Sequence, residues 1–244
     1  RAALIGVPFW GFVTFSIVSL ATIYKGLNNL HLELTALQSI VLSLGIGLAA
    51  AAVLRLLLVR RWRGCEGESI ERQLQLVERV FMILVIITSC SVAFSHGAND
   101  VANAVGPMAG AISIIRTGQI VSEVGISSWL LALGGAGIVL GLATFGYKVM
   151  RTVGNDITDL SPSRGVAADL GTALTVLVCS RLGLPISTTH TLVGAIVGVG
   201  LARGISAINL MTLLSIFTSW IVTRPIVAVL TMLFFYPARL IFGF

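Results

Sequence analysis

Apolar runs of about 20 residues, separated by short polar patches, organise this chain from end to end. That is the length an α-helix needs to cross roughly 30 Å of hydrocarbon, and no sustained period-2 alternation of the barrel kind is present. A first span reads from Ala3 to Tyr24, with Pro8 near its start, and the turn chemistry of Lys25-Gly26-Leu27-Asn28-Asn29 closes it. His31 and Glu33 belong to the same short connection. Thr35 to Val59 forms a second span whose Ser43, Gly45, Gly47 and Ala49 to Ala52 suit close approach of another helix. Arg60 to Glu78 is the most polar stretch and reads as a solvated, cytoplasmic loop leading into an amphipathic turn of helix.

From Val80 to Ile115 the apolar pattern runs for 36 residues, or about 54 Å as one straight helix. That exceeds one crossing, so the pattern predicts two spans or a re-entrant pair, broken at Gly97-Ala98-Asn99-Asp100. Arg116 to Ser127 reads as a polar turn, Ser128 to Met150 as a glycine-rich span, and Arg151 to Gly165 as a polar connection with a helix start at Ser161-Pro162. Two shorter helices follow, Val166 to Arg181 and Ser187 to about Ala202. Joined by Gly183-Leu184-Pro185, they predict a helical hairpin entering the membrane. Ala207 to Thr223 and Pro225 to Phe242 read as two last spans meeting at Arg224-Pro225. The expected organisation is therefore transmembrane helices over 1–59, a polar loop over 60–78 and a transmembrane core over 79–244.

Composition agrees with the pattern. Of 244 residues, 56% are hydrophobic and 11% charged, against about 25% charged in an average soluble domain, and the mean hydropathy is +0.99. The chain reads as an all-α integral membrane protein, a transmembrane helix bundle with broken helices and a re-entrant hairpin. The net charge of +6 does not imply nucleic acid, because Arg60, Arg61 and Arg63 sit beside a span where the positive-inside rule accounts for them. Cys65, Cys90 and Cys179 lack CxxC spacing, so neither a disulfide framework nor a zinc site is expected. The opening Arg1-Ala2-Ala3 carries no signal-peptide pattern and reads as the start of a piece of something longer.

Two polar constellations interrupt the apolar background. Asp100, with Asn99 and Asn103, places hard oxygen ligands in a run that must otherwise suit lipid; a charge near the bilayer centre costs at least about 2.5 kcal/mol, so Asp100 is expected to face a cavity, an ion or a partner. Pro185-Ile186-Ser187-Thr188-Thr189-His190 gathers three hydroxyls and free backbone N–H groups at a helix N-terminus, which reads as an anion cradle or, alternatively, as an ordinary N-cap. Discontinuous helices that aim N-termini at an anion and carboxylates at a cation are a transporter device. Asp169 faces the same cavity or pairs with an arginine such as Arg164; His96 and His190 are packing residues or ligands; Asp156 and Asp159 are solvated. No HExxH or GxSxG pattern supports an enzyme.

The residues His96-Gly97-Ala98-Asn99-Asp100-Val101-Ala102-Asn103-Ala104-Val105-Gly106-Pro107, then Gly154 through Leu177, then Leu184 through Gly194, resemble the inorganic phosphate transporter (PiT) family of secondary symporters over roughly residues 70 to 202. The resemblance implies two inverted-topology repeats, of which this chain carries one Asn-Asp signature, followed by Gly-Pro as in the second repeat. It implies symport of inorganic phosphate with Na⁺ or H⁺ and no other cofactor. Asp100, Asn99 and Asp169 are implied at the cation, with Asp100 and Asn99 as Na⁺ ligands, and Ser187, Thr188, Thr189 and Asn103 at phosphate. Asp169 stands where the family often has a glutamate, one methylene longer. The implied partners are the lipid bilayer, the N-terminal repeat half and a second copy in a homodimer, with the protein multi-pass in the cell (inner or plasma) membrane. Sulfate, metal phosphate or a passive anion channel remain alternatives.

Overall fold

In the computed structural model, which describes residues 2–26, 34–62, 69–120, 124–182, 184 and 186–242, the described residues build helices and no strand. The order is α1 (Ala2–Gly26), α2 (Ala36–Trp62), α3 (Ile70–Thr117), α4 (Ser128–Gly141), α5 (Tyr147–Arg151), α6 (Pro162–Arg181), α7 (Thr188–Leu201) and α8 (Leu210–Phe242). Single π-helical turns, Leu142–Gly146 and Thr152–Asp156, flank α5. Among the described residues, five helical stretches are long and apolar enough to cross a membrane: Ile5–Ile23, Ala36–Arg60, Ile70–Thr117, Ser128–Asp156 and Leu210–Ile241. Their outward faces expose large apolar side chains such as Leu57, Ile83, Leu140 and Phe234, as a lipid-facing surface requires.

Lipid tails are as apolar as leucine, so these helices associate through close packing and hydrogen bonds rather than hydrophobic transfer. Small residues set the closest approach. At Gly47 a Cβ would stand 2.9 Å from the backbone oxygen of Phe12, and Ser39 and Ser43 are buried in α2. Leu84 of α3 with Val166 and Leu170 of α6 forms a second contact, joined by Val13 and Phe15 of α1. Val193 and Ile196 of α7 pack with Ile157, Ala168 and, from α8, Leu213 and Trp220. Glu78 ties the polar end of α3 to the start of α6: its carboxylate accepts from the Ser163 backbone N–H (3.0 Å) and hydroxyl (2.6 Å), a cap supplied by another helix.

Three expectations change. The run from Val80 to Ile115 does not break: α3 is continuous for 48 residues, about 72 Å, so it passes beyond the bilayer, tilts, or does both. Gly97 permits a break without imposing one, and the amide N–H groups of Asn99 and Asn103 and the Asp100 carboxylate find partners in another segment without unwinding. At the far end Gly118, at φ 68, closes α3 in the left-handed region and donates its N–H to Ile114. Arg224-Pro225 does not separate two spans either, because α8 runs through Pro225 and Pro237; a proline removes one backbone bond, which membrane helices tolerate. Ser128–Met150 extends to Asp156 through the two π turns, which shortens the polar connection expected from Arg151.

Other expectations stand. Pro162 opens α6, and Ser187 caps α7, so the two short helices form the hairpin. The connection holding Asn28, Asn29, His31 and Glu33, the stretch with Arg63, Cys65, Glu66 and Glu68, and the hairpin residues Gly183 and Pro185 lie outside the described residues. Cys90 and Cys179 are free thiols.

Candidate functional site

One face of α3 carries Ser89, His96, Asn99, Asp100 and Asn103, spaced so that a 3.6-residue period aligns them. That face meets the hairpin where α7 begins. Asn99 Nδ2 donates to the Ile186 carbonyl (3.1 Å) and to Thr188 Oγ1 (3.3 Å), and Asn103 Nδ2 reaches the same carbonyl at 3.4 Å. Thr188 Oγ1 donates to Asp100 Oδ1 at 3.3 Å. Ile186 precedes the α7 N-cap, so its carbonyl has no helical donor to expect; the two asparagines supply the missing bonds. The Asn-Asp signature and the hydroxyl-rich helix start therefore form one hydrogen-bonded unit.

Asp100 has two further neighbours on its own helix: Asn99 Nδ2 donates to Oδ1 at 3.2 Å, and His96 Nε2 lies 2.6 Å from Oδ2. With its side chain 33% exposed, Asp100 remains reachable from outside the contact. The amide oxygens of Asn99 and Asn103 make no hydrogen bond among the described residues. Asp100, Asn99 and the Thr188 hydroxyl thus offer oxygen ligands of the kind that suits a hard cation. Among the described residues no three His, Cys, Asp or Glu side chains converge as a transition-metal cage would require.

A cavity of about 670 Å³ opens beside this unit. His96, Ser89, Asp169, Thr188 and Thr189 make its polar side; Leu142, Phe145 and Val149 of the α4–α5 wall make its apolar side. Asp169 is 8% exposed, and both its bonds fall on one oxygen: Oδ2 accepts from Thr88 Oγ1 (2.6 Å) and Ser89 Oγ (2.7 Å). Oδ1 makes no hydrogen bond among the described residues. Of the two readings of Asp169, the Arg164 partnership does not hold, because Arg164 donates instead to Asp159, to its carbonyl at 3.1 Å and its Oδ2 at 3.4 Å; Asp169 lines a cavity, but one beside Asp100, Asn99 and Asn103 rather than one they line. Asp159 and Asp156 are exposed, as expected. Replacing Thr88 with valine removes a bond to a buried carboxylate and is expected to cost about 1–3 kcal/mol, read as a lowered melting temperature in detergent.

The three hydroxyls of the helix start divide. Ser187 is the cap: its Oγ accepts from the His190 N–H (3.3 Å) and lies 2.6 Å from His190 Nδ1, and the residue is exposed. Thr188 is buried and bonded to the Asn-Asp signature. Thr189 faces the cavity with no side-chain bond among the described residues. The imidazole of His190 stacks on Trp220 of α8 at 3.7 Å between centroids, which anchors the start of α7. Sequence reasoning had no place for Thr88 and Ser89; their signal is a hydroxyl pair inside the apolar run that leads to His96. The contact of His96 with Asp100 was also missed; its signal is their i,i+4 spacing.

Residues 1–231 match the model of a family described as the phosphate transporter family. The chain is 44% identical over 243 residues to a "Putative phosphate permease" of Haemophilus influenzae, covering 97% of this chain and 56% of that protein. It is 46% identical over 164 residues to an inorganic phosphate transporter, chloroplastic, of Arabidopsis thaliana, covering 66% of this chain and 28% of that one. A solved structure described as the sodium-dependent phosphate transporter superposes with a TM-score of 0.72 at 39% identity, over 92% of this chain and 54% of the other. The chain spans about half the length, or less, of the curated relatives it matches. These relatives are transporters and permeases rather than enzymes. With its Asn-Asp helix face bonded to a hydroxyl-rich hairpin break inside an all-helical membrane fold, the chain belongs to the phosphate transporter family.

Proposed function

We propose that the complete protein carries inorganic phosphate across the cell membrane by symport with Na⁺, and that this chain supplies one of two inverted repeats around the binding site. The observation that carries the reading is the junction of the two motifs: Asn99 on the Ile186 carbonyl at 3.1 Å and Thr188 on Asp100 at 3.3 Å. In this reading Asp100 and Asn99 hold the cation, while Asn103 and the start of α7, Ser187 to Thr189, receive the anion. Asp169 tunes the field of the neighbouring cavity, which Thr188, Thr189 and His96 also line. The name of the solved relative, a sodium-dependent phosphate transporter, supports Na⁺ as the coupling ion.

Coupling follows from charge. Helix N-termini attract an anion, but a carboxylate beside the same N-terminus repels it; two unit charges 4 Å apart interact by about 4 kcal/mol at an effective dielectric of 20. A cation bound at Asp100 cancels that repulsion and allows phosphate to settle on the donors of α7. Each ligand then strengthens the other's binding by the same factor. In proteoliposomes holding the complete protein, phosphate uptake is expected to require an inward Na⁺ gradient, to saturate, and to resist excess sulfate. Uptake driven by a proton gradient alone would replace Na⁺ by H⁺, full competition by sulfate would change the substrate, and non-saturating flux would indicate a channel.

A further inference from the structure

α2 and α3 follow one another in the chain, yet both pack on α1 and scarcely touch each other. The gap between them is an apolar crevice of about 290 Å³, lined by Leu54, Leu57 and Leu58 of α2 and by Leu76, Val80 and Ile83 of α3. One charged side chain, Arg79, also lines it.

Arg79 ends the charged first part of α3; Val80 to Ser95, which follows, contains no charged residue. Arg79 therefore stands at the boundary between the charged part of α3 and its apolar run, with Leu76 lining the crevice before it and Val80 and Ile83 after it. Its adjacent carboxylate, Glu78, is occupied by the Ser163 N–H and hydroxyl, and Arg79 makes no ion pair among the described residues. Arg55, on the α2 turn that carries Leu54, Leu57 and Leu58, likewise makes no ion pair among the described residues. An apolar slot with an exposed guanidinium, unpaired among the described residues, in its lining complements an acyl chain attached to an anionic phosphate, which a guanidinium can bind through two parallel hydrogen bonds.

We propose that this crevice is a binding site for an anionic phospholipid, one acyl chain lying between α2 and α3 and the headgroup phosphate held by Arg79. The site is separate from the cavity that holds Asp169, with no lining residue in common.

The test is native mass spectrometry of the complete protein released from membranes containing equal amounts of phosphatidylglycerol and phosphatidylcholine. Wild type is expected to retain phosphatidylglycerol with a preference of about fivefold, the scale of one basic residue at a lipid surface. Arg79→Gln is expected to lose the preference and Arg79→Lys to keep part of it. Leu57→Trp, which fills the crevice from an exposed position, is expected to release the lipid without lowering the melting temperature. Equal retention of the two lipids by wild type, or an unchanged preference in Arg79→Gln, overturns the proposal. So does disulfide cross-linking between copies through Leu57→Cys, which would show that a second copy covers the crevice.

Discussion

Replacing Asp100 with asparagine is expected to cut Na⁺-driven phosphate uptake by roughly 10- to 100-fold, the equivalent of about 1.5–3 kcal/mol for bonds made to a charged group. The substitution keeps the shape of the side chain. It also keeps an oxygen for Thr188, whose hydroxyl bonds Asp100 Oδ1 at 3.3 Å, so the protein should stay folded and melt within a few degrees of wild type. What changes is charge. On the proposed assignment the cation loses its strongest ligand, and the carboxylate that repels phosphate disappears with it. Phosphate binding measured at equilibrium should therefore lose its dependence on Na⁺ rather than vanish. Uptake in Asp100→Asn that still responds to Na⁺ as wild type does would place the coupling site elsewhere, with Asp169 the next carboxylate to test.

The largest expected effect on stability lies far from the cavity, at the crossing of α1 and α2. A Cβ at Gly47 would stand 2.9 Å from the Phe12 carbonyl oxygen and 3.1 Å from its ring, and a backbone oxygen cannot swing aside as a side-chain tip can. Gly47→Leu is expected to destabilise the pair by about 1–3 kcal/mol, the range for overpacking, and to lower the melting temperature in detergent by several degrees. Gly45 is the control. Nothing lies within 4 Å of a Cβ there, so Gly45→Leu should be close to neutral. Equal effects at the two positions would mean that helix propensity rather than the crossing decides.

Much of this architecture was legible because the bilayer leaves few choices. Length and apolarity placed α1 and α2 to within a few residues, and Ser161-Pro162 and Ser187 marked the helix starts of the hairpin through their capping chemistry. The same length argument failed for α3 and α8. It treated a span as something that must end at the membrane surface, while backbone hydrogen bonding favours continuing a helix wherever no group is left unsatisfied. Gly97 and Pro225 were read as breaks, and neither breaks its helix. The site was legible as two motifs but not as one unit. Nothing along the chain says that Asn99 and Asn103 would share the Ile186 carbonyl, since a bond across 87 residues depends on how the hairpin docks. Asp169 offered a choice between a cavity and an arginine; Arg164 bonds Asp159 instead, and Asp169 bonds the hydroxyls of Thr88 and Ser89.

The unbroken course of α3 has a mechanical meaning. From Arg79 to Asp100 is about 32 Å of uninterrupted helix, and Pro107, where a kink would most readily arise, lies beyond that stretch. A rod of this length transmits tilt as a lever does: rocking by about 5° about its polar end carries the Asp100 level through about 3 Å, the length of one hydrogen bond. The bonds from Asn99, Asn103 and Asp100 to the hairpin start sit at the moving end of that lever, where a small swing is enough to make or part all of them together.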